Sequence, residues 1–309
     1  MYKFKKGSIL RLTANGEYQS TGTNREEIRS YRDDIDDEIN VENIVRINDE
    51  LLINASHELK TPLNIIYGAA QLLEQYAKND NQKSEKVFYN IETIKQNSFR
   101  LMKVINNLLD LEKIETGIFK LNYNYVNIVE VVEDVVQMVS KELKDKHIEF
   151  IFDTELEEKY MMVDVENIER VLLNLLSNAV KFSDTGGKIS VDIFMSNNAV
   201  EIVVIDRGIG IEKKYLNDIF NRFGQVDKSL SRRAEGCGIG LKLSKAIIEA
   251  HGGSINVFSK LNKGSTFVVK LPCKKNDSIY TLYPNKVINY DSLNEMIKIE
   301  FSDIEYIGI

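Results

Sequence analysis

Two groups of residues have the types and spacing for chemistry. The first is Asn54-Ala55-Ser56-His57-Glu58-Leu59-Lys60-Thr61-Pro62-Leu63. Leu52, Ala55, Leu59, Leu63, Ile66 and Ala70 recur at spacings of three and four, which predicts one buried stripe on a helix. At about 100° per residue, His57 falls roughly 160° from that stripe and faces solvent. Its imidazole is mostly neutral at pH 7 and can act as a nucleophile, while Glu58 can take the second ring proton. Thr61 stands one turn on. An exposed His–Glu pair is ordinary by itself, but a proline inside a helical pattern is costly, and Pro62 marks the stretch as retained for a reason.

The second group lies further along the chain. Asn174, Asn178 and Lys181 share one helical face, roughly 130° from the apolar stripe Ile168, Leu172, Leu175 and Ala179. Amide carbonyls are hard oxygen ligands suited to Mg²⁺, and a lysine one turn on reaches phosphate as a point charge. A plain solvated face is the competing reading. Asp206-Arg207-Gly208-Ile209-Gly210 follows a strand pattern directly. Its carboxylate can accept from an exocyclic amine such as that of adenine, and its glycines let a flat ring approach. Gly236-Cys237-Gly238-Ile239-Gly240 opens into a helix, whose free amides favour phosphate. A dinucleotide fold would place such glycines after the first strand of a βαβ unit, and no P-loop lysine is present.

Two kinds of element must position these groups. A long helix is predicted from about Val41 to Ala77, followed by the turn Lys78-Asn79-Asp80-Asn81-Gln82. The second helix carries Val87, Ile91, Ile94, Ser98, Leu101, Ile105 and Leu108 as a heptad seam and stops at Gly117. Two such helices cannot bury both stripes within one hairpin, so a second copy completing a four-helix bundle is expected. Packing of the hairpin on its own C-terminal domain is the alternative. Beyond residue 118 the pattern alternates. Asn127 caps a helix to about Lys144, and His147 to Phe152 is a strand. A helix runs from about Val165 to Lys181, and the strands Lys188–Met195 and Ala199–Ile205 meet at an Asn197-Asn198 turn. A helix from Gly240 to His251-Gly252-Gly253 and the strands Ser254–Ser259 and Ser265–Leu271 close an α/β two-layer sandwich.

Taken in order, these stretches resemble the core of the sensor histidine kinases of two-component systems, over roughly Val41 to Pro272. His57 to Leu63 is similar to their phosphoacceptor box and Asn174 to Phe182 to the N box. Asp206 to Gly210 and Gly236 to Gly240 are similar to the two glycine boxes, Phe220-Asn221-Arg222-Phe223 to the phenylalanine box, and Gly264-Ser265-Thr266-Phe267 to the final strand motif. The resemblance implies an antiparallel helical hairpin forming a dimeric four-helix bundle, then an α/β sandwich of the Bergerat ATP-binding type. It implies catalytic roles for His57, Glu58 and Thr61, the last positioning a water for dephosphorylation of the regulator. ATP contacts are implied for Asn174, Asn178, Lys181, Phe182, Asp206, Gly208, Gly210, Phe220, Phe223, Gly236, Gly238, Gly240, Leu241 and Thr266, with Mg²⁺ on Asn178 and Asn174. A lid from Phe220 to Gly236 would close over the nucleotide; it contains Lys228, Arg232 and Arg233. Cys237 stands where the family usually has threonine or serine. The implied reaction is ATP-dependent phosphorylation of His57, then transfer to an aspartate on a response regulator receiver domain. The rival is an ATP-driven conformational or scaffold protein of the gyrase or MutL type, which has no need of the histidine box.

The 309 residues suggest about two domains. The expected division is an N-terminal segment or linker at 1–40, the hairpin at 41–117, the ATP-binding domain at 118–272 and an extension at 273–309. A net charge of −7 with pI near 5.3 argues against a general nucleic-acid binder. No apolar run has transmembrane length, the basic start lacks a signal-peptide core, and two cysteines suit a reducing compartment, so a cytoplasmic protein is expected. Ile9–Leu12 and Gly16–Tyr18 suggest a short hairpin, and Ser292 to Ile307 a further strand or a segment packed on the domain surface.

Overall fold

The computed structural model describes residues 9–12, 18–21, 58–76, 84–144, 147–183, 186–220, 238–273 and 289–304. The chain divides into two compact units, Met1–Ser56 and His57–Ile309. In the first, β1 (Ile9–Leu12) and β2 (Tyr18–Thr21) form the expected antiparallel hairpin, with Ile9 opposite Thr21.

The second unit begins with two helices, α1 (58–76) and α2 (Ser84–Glu115). All but one of their buried positions are one heptad apart: Pro62 and Ala69 on α1, and Asn90, Asn97, Val104 and Leu111 on α2, with Asn107 the exception. That is a different row from the predicted seam. Ile91 and Ile105 of the seam are exposed, as are Met102, Leu109, Phe88 and Tyr89, the last at 68%. On α1, Leu63 is 55% exposed, although the periodicity put it on the buried stripe. Each helix carries two apolar faces, and one hairpin can cover only one of them. Asn90 and Asn97 tolerate the covered face because each donates its side-chain amide to a carbonyl one turn back, Lys86 O at 2.7 Å and Thr93 O at 2.8 Å. None of the described helices is long and apolar enough to cross a membrane.

After Gly117, short β3 (Asn124–Asn127) pairs antiparallel with β5 (Tyr160–Val163), two strands the sequence patterns did not announce. Asn127 ends β3 and caps α3 (Ile128–Glu142); its side-chain oxygen accepts from Val129 N and also from Lys159 N. The main sheet has the order β4-β6-β7-β9-β8, from β4 (Glu149–Thr154), β6 (Lys188–Ser196), β7 (Ala199–Asp206), β8 (Ser254–Lys260) and β9 (Gly264–Pro272). Only β4 and β6 run parallel. Asn197 and Asn198 both have positive φ, the conformation a two-residue hairpin needs to match strand twist.

One sheet face carries Ile189, Val191, Ile193, Ile202, Val204, Phe267, Val269 and Leu271, all buried. Against them pack α3, α4 (Val165–Phe182) and α5 (Gly240–Ala250), giving the two-layer sandwich. The start of α4 is fixed by Asp164, which caps Asn167 N and takes Asn122 N at 2.7 Å. Its own N–H reaches the buried His251 Nε2 at the end of α5, at 3.0 Å.

Of the two readings of the tail, a further strand or a segment packed on the domain, the strand is not what forms. Residues Tyr290–Glu300 form a helix, α6, capped by Asn289, with Leu293, Ile297, Phe301 and Ile304 in the main core. Only one side of it is apolar, and a short stretch of helix with one apolar side reads in sequence as broken alternation.

Candidate active site

The site forms where the ends of α4, β7, β9 and α5 meet. Asp206, the last residue of β7, is 7% exposed. Its Oδ1 accepts from Gly208 N at 2.8 Å and Ser265 N at 3.2 Å. Burial pushes this carboxyl above its usual range, and the backbone N–H groups of Gly208 and Ser265, with the Ser265 side chain, pull back against that. The loop after Asp206 lies tight against its neighbours. Ile209 N donates to Phe182 O at the end of α4, and Ile209 O accepts from Asn262 N at 2.6 Å. A Cβ at Gly208 would collide with the Phe182 carbonyl, so only glycine lets this loop close on α4. Gly210 has φ +66° and sits against the Lys260 backbone.

Thr266 is not the side chain beside Asp206. Alternation along β9 puts Ser265, Phe267 and Val269 on the helix-covered face and half-buried Thr266 on the other. Ser265, one residue earlier, is the side chain of this motif that lies beside Asp206. Its hydroxyl lies 3.0 Å from that of Ser259, which also accepts from Ile211 N and so pins the loop. Beside the same loop end, Ser183 Oγ is buried without a hydrogen-bond partner. Ser183, Ser259 and Ser265 escaped the sequence reading, and only the motif's register hinted at Ser265.

The α4 face is also more divided than its spacing suggested. Asn174 is 8% exposed, and its amide donates to Ser244 Oγ of α5 at 2.8 Å. A Cβ at Gly240 would lie 2.5 Å from Asn174 Oδ1. Asn174 thus holds α5 close, whereas Asn178 is less buried and its amide is 3.5 Å from Asn174 Oδ1. Half-buried Lys181 sets its ammonium 5.7 Å from the centre of the Phe182 ring. Gly238, at φ +63°, leads to Gly240, where α5 starts without a side-chain cap and with no acid in its first turn. Amides left unsatisfied at a helix N-terminus attract anions. Leu241 and Phe220 are partly buried against the core, and the Lys245 ammonium lies 5.8 Å from the Phe220 ring centre. Glu58 is half-buried and Thr61 exposed on α1. His57, Phe223, Gly236, Cys237, and the lid residues Lys228, Arg232 and Arg233 lie outside the described residues.

A buried acceptor, a glycine loop held close against it and an uncapped helix end suit an adenine nucleotide. Comparison with known proteins agrees. Residues 47–117 match the His Kinase A (phospho-acceptor) domain, and residues 163–275 match the histidine kinase-, DNA gyrase B- and HSP90-like ATPase domain. The chain is 32% identical over 228 residues to the sensor histidine kinase WalK of Bacillus subtilis, covering 73% of this chain and 37% of WalK. It is 35% identical over 218 residues to the histidine-protein kinase ArlS of Staphylococcus aureus, covering 70% of this chain and 47% of ArlS. It therefore spans less than half of either relative. Among solved structures, ShkA in complex with AMPPNP aligns with TM-score 0.54 and 26% identity, covering 73% of this chain and 46% of that one. The Acinetobacter baumannii kinase AdeS shares the fold with TM-score 0.54, over 71% of this chain and 98% of its own. With both domains matched in order, and the site assembled at the end of the second, this chain carries the core of a two-component sensor histidine kinase.

Proposed function

We propose that this chain uses ATP to phosphorylate His57 and passes the phosphoryl group to an aspartate of a response regulator receiver domain. The observation that carries the reading is the buried Asp206 carboxylate, fixed by two backbone amides in the same module as the uncapped start of α5. Asp206 accepts from the adenine amine, and the phosphates lie toward α5 and Lys181. A γ-phosphate brought to the histidine box is attacked by the His57 ring nitrogen, the bond to the ADP oxygen breaks, and Glu58 takes the other ring proton. Thr61, exposed on α1, orients a water for the reverse task of removing phosphate from the regulator.

Mg²⁺ fits the donor set best at Asn178, whose amide lies at the less buried edge, with Asn174 supporting it from behind. When bound, the ion supplies positive charge to the triphosphate oxygens. The exposed apolar faces of α1 and α2 are covered by a second copy in a four-helix bundle. A kinase that draws on ATP and a receiver-domain partner belongs in the cytoplasm. The gyrase- or MutL-type reading loses to this one because the phospho-acceptor domain precedes the ATPase domain.

Incubation with γ-³²P-ATP tests the reading. The expected product is an acid-labile, alkali-stable label that is absent in His57→Gln. Asp206→Asn should lose nucleotide binding by about 100-fold, since the buried acceptor of the amine is replaced by a competing donor. Label that persists in His57→Gln removes the proposal.

A further inference from the structure

The described end of the chain, beyond both matched domains, joins the two modules. One side of α6 sits in the core of the nucleotide module through Leu293, Ile297 and Phe301. Its other attachment is to α2. Gln96 Nε2 and Arg100 Nε donate to Ser302 O at 3.1 and 2.9 Å. Lys103 Nζ donates to Glu300 O at 2.7 Å and meets Asp303 Oδ2 at 3.0 Å. These three side chains stand at i, i+4 and i+7, one face of α2, aimed at the negative end of α6. Two other ties join the modules: Arg170 of α4 to Asp110 and Asn107 of α2, and Lys242 of α5 to Glu115 at 3.0 Å.

The joint mixes charged and apolar side chains and is incompletely filled. A cleft of about 410 Å³ remains between α2, α4 and α6, lined by Asn106, Lys120 and Asn167 together with Leu109, Phe119 and Met296. An interface that is neither large nor wholly apolar allows its two sides to move. Position along α2 supplies the second argument. With α1 and α2 taken as the antiparallel hairpin that the resemblance implies, Glu58 is level with α2 near residue 102, and Glu115 lies about 13 residues further, roughly 20 Å at 1.5 Å per residue. Lys242, in the first turn of α5, is tied to Glu115, so the phosphate end of the site is held at that far level. A two-fold axis along the bundle keeps both histidine boxes at one height, so the gap applies to either copy. Attack on phosphorus needs about 3–3.5 Å.

We infer that α6 and the turn after it form a strap that parks the nucleotide module on α2, and that its release admits the γ-phosphate to the histidine box. The inference rests on the histidine kinase reading above, and the test separates the two. Gln96→Ala with Arg100→Ala, made in the full chain, removes contacts to the strap alone. With two hydrogen bonds lost, acid-labile labelling is expected to rise about tenfold while ATP affinity is unchanged. Amide exchange is expected to quicken in α6 and stay as it was in α4.

Labelling that stays level or slows, with ATP affinity intact, overturns the inference. Exchange that quickens in α4 as well as α6 overturns it too, because the Gln96 and Arg100 contacts would then brace the module's own fold rather than act as a catch. If the wild-type chain forms no phosphohistidine, the kinase reading fails, and the strap is judged on exchange alone. Selective loosening of α6 supports it, and unchanged protection refutes it.

Discussion

The nucleotide module and the helical hairpin place their apolar side chains in opposite ways. In the module, the inward residues of β6, β7 and β9 are covered by helices of the same chain, and Ile189, Ile193 and Ile202 are fully buried. In the hairpin, Leu63, Tyr67, Phe88, Tyr89, Ile105 and Leu109 remain open. A contiguous apolar face of that length marks an association surface. The module covers its apolar sheet face within one chain, whereas the hairpin leaves apolar side chains open, which the proposed dimer would cover. The comparison predicts which measurements will depend on protein concentration.

The largest effect is expected from Leu172→Ala in α4. Removing a fully buried leucine side chain should cost about 2–5 kcal/mol, equal at every protein concentration in urea unfolding. A cost that faded on dilution would erase the contrast between the regions.

Next comes Glu169, a 5% exposed carboxyl of α4 whose Oε1 has no hydrogen-bond partner. Burial, with Glu166, Asp134 and Asp164 nearby, pushes it up to about 7. The unfolded group titrates near 4.5, so the native state binds the proton more tightly. Its relative stability is therefore full below pH 4.5 and lost as pH rises through 7. Glu169→Gln should leave unfolding unchanged at pH 4.5 and stabilise the chain by up to about 3 kcal/mol at pH 8. Equal stabilisation at both pH values would contradict the assigned cause.

Ile105→Asp should act in the other manner. It is expected to leave the fold of the nucleotide module intact and shift the dimer toward monomer at least about tenfold, seen by sedimentation. A variant that stays dimeric would show that the open face is not the contact. The smallest effect belongs to Lys270→Ala, which breaks the 2.8 Å pair with Glu201 on the outer side of the sheet. A partly exposed pair is worth about 0–1 kcal/mol, and a larger loss in the same unfolding assay would mean that this face is covered too.

The same contrast explains what could be read from sequence. The α4 stripe, the Asn197-Asn198 turn and the glycines around Asp206 were legible because periodicity and turn chemistry are local, and the module agrees with its local signals. β3 and β5 were not, since four residues such as Asn124-Tyr125-Val126-Asn127 hold too few alternations to register. The buried row on α2 was missed because Asn90 and Asn97 count as polar, although each donates its amide N–H to a carbonyl of its own helix, Asn97 Oδ1 being left buried without a partner. Asn174 shows the limit at the site: spacing picks the face, and only packing tells that its amide holds α5 through Ser244. α6 was read as a possible strand because its apolar residues serve a surface far away in sequence.

One close approach has a consequence for substitution. Gly240 and Asn174 stand 66 positions apart, yet a Cβ on the first has no room unless the second gives way. A side chain at 240 therefore requires the Asn174 amide to leave its place against Ser244, so a substitution at one position is felt at the other.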